Sequence, residues 1–77
     1  MPTIFRKNGF RFFFYSNEHP PPHVHIEGSD GTAKYNLDPI ELIESMGLSN
    51  KDQRHIQQII EENQTDFLTK WKNYFKN

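Results

Sequence analysis

Residues 49 to 77 contain neither glycine nor proline, whereas the four glycines and five prolines of this chain all lie at or before Gly47. These two residues punctuate a backbone, so the first part must break into short extended segments while the second is free to run as helix. Residues 1 to 46 are also rich in aromatic and β-branched side chains, which suit a pleated surface. The order predicts an α+β fold: a small antiparallel sheet of four or five strands (residues 3–45) packed against one long C-terminal helix (about 49–76). With 77 residues the chain reads as a single domain, 1–77. A domain of that size buries only about two-thirds of its unfolded surface, so its core is small.

Asn8-Gly9 is the strongest hairpin signal, because both central positions of the tight turn need positive φ. It joins Thr3–Lys7 to Phe10–Ser16. Along the second strand Phe10, Phe12 and Phe14 point one way and Arg11, Phe13 and Tyr15 the other, which places aromatic surface on both faces. Pro20, Pro21 and Pro22 donate no ladder hydrogen bonds and form a stiff extended bridge. The chain re-enters a strand at His23, and alternation sends Val24 and Ile26 to the core and His23, His25 and Glu27 to the other face. Gly28-Ser29-Asp30-Gly31 turns it into Thr32–Leu37, which Asp38-Pro39 ends. Ile40 to Met46 reads as a fifth strand, although Asp38-Pro39 followed by Glu41 also suits the cap of a short helix.

Ser49 followed by Asp52 marks the helix start, since a serine oxygen there accepts from an otherwise unpaired backbone N–H. Ile56, Ile60, Phe67, Trp71 and Tyr74 fall on one core-facing stripe, flanked by Ile59, Leu68 and Phe75. A straight helix of that length would run about 40 Å. The domain is only about 30 Å across by size scaling. The helix must therefore overhang or bend, and Asn63-Gln64-Thr65-Asp66 is the natural place for a kink.

Chemistry concentrates in Glu18-His19-Pro20-Pro21-Pro22-His23-Val24-His25-Ile26-Glu27, which holds three of the four histidines. The absence of cysteine excludes disulfides, thiolate metal sites and thiol nucleophiles, leaving imidazole and carboxylate as ligands. No apolar signal region or membrane-length run is present, so a cytoplasmic protein without membrane contact is expected. A net charge of −1 gives no general footprint for nucleic acid. Arg6, Lys7 and Arg11 nevertheless precede the first carboxylate, Glu18, and make the hairpin locally cationic.

Pro2-Thr3-Ile4, the aromatic strand from Gly9 to Tyr15, the run Ser16-Asn17-Glu18-His19-Pro20-Pro21-Pro22-His23-Val24-His25 and a late Trp71 together resemble the small bacterial domain-of-unknown-function family numbered 4160. The resemblance covers nearly the whole chain. It implies a two-gene toxin–antitoxin-type module with an adjacent-gene partner from the family numbered 2442. It assigns no chemical role to any residue.

The residues leave three uses of the cluster open. A metal-independent ribonuclease would use His19, His23 and His25 as general base and acid, Glu18 to orient a ring, and Arg6, Lys7 or Arg11 to hold the phosphate of an RNA. A divalent metal site, with zinc as the example, would take His23 and His25 from one strand face with Glu27 or His19 as third ligand. A structural role would leave the segment as a stiff turn and the domain as a partner-binding module, or a homodimer through the helix or the aromatic sheet face. The resemblance favours the toxin-like ribonuclease, because such a module needs one harmful member.

Overall fold

The structure is a computed structural model that describes residues 3–76. Its strands are β1 (Thr3–Lys7), β2 (Phe10–Phe13), β3 (His23–Glu27), β4 (Thr32–Leu37) and β5 (Ile40–Met46), followed by α1 (Asn50–Glu62) and α2 (Gln64–Phe75). They form one antiparallel sheet in the order β1-β2-β3-β4-β5, each strand beside its neighbour in sequence. Asn8 and Gly9 take φ of 54° and 83°, as the tight turn requires. Residues 40–46 are strand, and a Cβ at Gly31 would overlap the Met46 carbonyl oxygen, so the β3–β4 turn and the end of β5 pack backbone against backbone.

Period-two alternation decides which side chains meet the helices. Phe12, Phe14, Val24, Ile26, Tyr35 and Leu37 are buried on one sheet face against Ile56, Ile59, Ile60, Phe67 and Trp71. Phe12 makes an edge-on contact with Phe5 at 5.8 Å and lies 5.6 Å from Phe67. Tyr35 keeps its hydroxyl satisfied by donating to the Gln53 carbonyl at 3.0 Å. The hairpin tip is fastened to α1 as well: the Asn8 amide donates to His55 Nε2 at 2.9 Å, and the His55 ring sits edge-on to Phe10. His55, near the start of α1, is thereby half-buried rather than solvated.

The expectation of one long helix is also corrected: there are two helices, broken at Asn63. Asn63 leaves helical geometry at φ −122° and ψ 15°, and its side-chain amide takes the Ile59 carbonyl at 2.8 Å. A side chain that competes for the backbone ladder is the usual reason Asn interrupts a helix. The break lets α2 stay on the sheet, so Trp71 is buried and Phe75 half-buried rather than overhanging. Tyr74, expected on the core stripe, is instead 45% exposed.

Ser49 caps α1, its hydroxyl accepting from the Asp52 amide at 3.1 Å. Ser49→Ala is expected to cost about 1 kcal/mol. An unchanged urea midpoint would show that the cap contributes nothing.

Candidate functional site

β3 begins where the triproline bridge ends. The bridge is held along the sheet by the Leu37 amide donating to the Pro22 carbonyl at 3.0 Å. His23 and His25 share one face of β3, opposite Val24 and Ile26. The loop before the bridge folds Glu18 back onto that face, where Glu18 Oε1 lies 2.8 Å from His23 Nε2 and Glu18 Oε2 lies 3.1 Å from His25 Nε2. The Tyr15 backbone N–H donates to Glu18 Oε2 at 3.3 Å and helps fix the carboxylate.

Aromatic rings wall the cluster. Trp71 lies 4.9 Å from the His23 ring, Phe13 stacks on His25 at 5.6 Å, and Tyr15 meets His25 edge-on at 4.4 Å. The side chains of His23, Glu18 and His25 are consequently only 7%, 10% and 16% exposed. Polar groups withdrawn from water to this degree must satisfy one another or a ligand.

The other ring nitrogen of His23 fixes its tautomer. Nδ1 lies 2.8 Å from the Pro21 carbonyl oxygen, which can only accept, so Nδ1 carries a proton. Nε2 is then left facing Glu18 either as a second N–H or as a lone pair aimed at a cation between them. For Glu18, burial pushes the carboxyl upward, but hydrogen bonds from His23 and His25, with their charges, outweigh it and hold the group below its ordinary value. Burial is the strongest influence on His25 and lowers it, the charges of His23 and Lys34 add to this, and the opposing pull of Glu18 does not restore it. A metal ion takes a carboxylate and imidazoles in their deprotonated forms, so its entry would replace the protons now shared between Glu18 and the two rings.

One ligand atom from each of Glu18, His23 and His25 lies within 4.8 Å of the others, the one such group among the described residues. A tetrahedral zinc ion with bonds of about 2.0–2.1 Å separates its donors by about 3.3 Å, so small side-chain movements would seat one.

The remaining residues singled out from sequence sit elsewhere. His19 is exposed and outside this group. Glu27 faces Arg11, with Oε1 3.7 Å from Nε. Arg6 and Arg11 lie opposite each other on β1 and β2, and Lys7 is opposite Phe10, at the hairpin end of the sheet. Arg11 connects to the histidines through Phe13, its guanidinium lying 4.1 Å above that ring. As a candidate third metal ligand Glu18 escapes sequence reading, which assigns it only to orienting a ring. Alternation relates neighbours along one strand, and Glu18 reaches the site from a loop. Phe13 and Tyr15 were legible as aromatic surface and Trp71 as part of a core-facing stripe, but none of them as a wall of this cluster.

A single antiparallel sheet, helices on one face and a carboxylate with two histidines on the other define an α+β domain with a compact candidate metal-ligand set. The chain belongs to the family described as Domain of unknown function (DUF4160), which matches residues 9–72 and so includes both the cluster and Trp71. No curated protein and no solved structure matches the chain. Among the described residues, no helix is long and apolar enough to cross a membrane.

Proposed function

We propose that Glu18, His23 and His25 hold a divalent metal ion, with zinc the cation that best suits two imidazoles and a carboxylate, and that the domain uses the ion to activate water. The observation that carries this reading is the His23 ring. With Nδ1 donating to the Pro21 carbonyl, Nε2 points at Glu18 and toward His25, and a metal-bound histidine commonly commits its second nitrogen to a backbone carbonyl in this way. Three protein ligands leave a fourth position for water, whose pKa on zinc falls to about 7 in known enzymes. Substrate would approach over a cleft of about 250 Å³ lined by Phe13, Tyr15, His25, Thr32, Glu44 and Met46.

A metal-independent ribonuclease would need one imidazole as base and another as acid, both turned toward substrate. Here both Nε2 atoms turn toward one carboxylate, which favours a shared cation over a free acid–base pair. RNA is still the first substrate to try, because the toxin-like role implied by the family resemblance calls for a nucleic-acid target, with the adjacent-gene protein as its restraint.

Zinc titrated into chelator-treated protein should bind at one ion per chain and raise the melting temperature, and His25→Ala should remove both effects. No binding in the wild-type protein would overturn the proposal. RNA cleavage by the chelator-treated protein, lost in His23→Ala, would replace it with the metal-independent mechanism.

A further inference from the structure

At the opposite end of the open sheet face, three cations gather beside a single carboxylate among the described residues. Arg6 on β1 is directly across from Arg11 on β2, and Arg11 is in turn across from Glu27 on β3. Residues paired in this way share a sheet face, and like charges directly opposite one another oppose strand pairing. Lys7 adds a third cation to the same cleft, which closes on Gly28 and Ser29 of the β3–β4 turn. Among the described residues Glu27 is the one carboxylate ion-paired with any of these three, and it pairs weakly: it contacts Arg11 Nε at 3.7 Å with its own side chain 57% exposed.

Arg11 is not placed as a solvated surface arginine. Its side chain is 19% exposed and its guanidinium is laid over the Phe13 ring, which restrains the plane of its donors. Nη1 is buried and has no hydrogen-bond partner among the described residues. A buried N–H without an acceptor is costly, so a turn of the guanidinium that brings Nη1 to an oxyanion in the cleft would relieve that cost.

We infer that the β1–β2 hairpin end is a binding site for a phosphate group, with Arg11 and Arg6 as its principal donors and Lys7 as a supporting charge. The planar guanidinium fork suits the oxygens of a phosphate monoester or of a phosphodiester. Glu27 contacts Arg11 through Nε and weakens the site by repulsion. The site is therefore modest in affinity and takes one phosphate group. This inference does not depend on the metal centre, and Phe13 separates the two.

Inorganic phosphate is titrated into chelator-treated full-length protein, followed by side-chain and amide NMR shifts. Saturable shifts of the Arg11 Nε–H and of the Gly28 and Ser29 amides are expected. Arg6→Gln should weaken binding about tenfold, a size appropriate to a lost charge-assisted contact. Glu27→Gln should tighten it several-fold, and both positions are exposed, so both variants should fold. A single-stranded RNA tetranucleotide in parallel identifies the source. Tighter binding than phosphate, with added shifts at Tyr15, supports a phosphodiester chain, and equal or weaker binding supports a small phosphorylated ligand. Absence of saturable shifts, shifts of equal size at the remote Lys51 and Lys72, or identical affinity in both variants would overturn the site.

Discussion

Glu18→Gln is expected to remove most of the zinc-induced rise in melting temperature while leaving the zinc-free protein folded. At zinc one hundredfold above its dissociation constant, the native state gains about 2.7 kcal/mol. A domain of this size gains about 4–8 °C per kcal/mol, so the wild-type rise should be about 10–20 °C. Glutamine keeps the volume of Glu18 but replaces an anionic oxygen with an NH2 group, which cannot ligate. It thereby removes the one charge that compensates a dication between two neutral imidazoles. Affinity should fall about a hundredfold or more, which leaves at most about 0.4 kcal/mol of stabilisation, a rise of about 2–3 °C. Without zinc, the substitution exchanges charge-assisted hydrogen bonds to His23 and His25 for weaker ones, at about 1–3 kcal/mol. The decisive quantity is the difference between melting temperatures with and without zinc, measured by calorimetry. A wild-type-sized rise in Glu18→Gln would place the ion elsewhere.

The second large effect lies in the core. Phe12→Ala should remove a large share of the domain's stability, because Phe12 is fully buried and packs on both Phe5 and Phe67, joining the edge hairpin to α2. Truncating such a ring costs about 3–5 kcal/mol in lost transfer energy and residual cavity. A chain of this length has only about 4–12 kcal/mol in total. Chemical denaturation should therefore show a midpoint lowered by about a quarter or more, down to no folded baseline at all. A loss below about 1 kcal/mol would mean that neighbouring rings collapse into the space and that the sheet–helix contact is more plastic than its packing indicates.

Much of the architecture was legible because short-range rules governed it. The Asn8-Gly9 turn, the alternation of β3 and β4, the Ser49 cap and the apolar stripe of α1 each depend on residues a few positions apart. The helix break was legible only as a weak region. Asn63 acts through a specific side-chain bond to Ile59, which composition does not reveal. Tyr74 shows the same limit: once the helix restarts at Gln64, the phase of one continuous stripe no longer carries through. In the cluster, alternation correctly grouped His23 with His25. It could not foresee that a loop carboxylate would arrive between them, or that Trp71, from the last helix, would shield one ring. Those contacts depend on chain reversal and long-range docking, for which the local sequence has no period.

Because both helices cover the same side of a five-stranded meander, the strands are written in two interleaved alphabets. One parity of β2 and β3, with Phe10, Phe12, Val24 and Ile26, supplies the core, while the other presents Arg11, Phe13, His23, His25 and Glu27. A new recognition chemistry can thus be substituted into alternate letters of Arg11 to Glu27 with little rewriting of the letters that fold the domain. The same interleaving makes the domain intolerant of a single inserted residue in β3, which would exchange the two alphabets and turn Val24 and Ile26 out of the core.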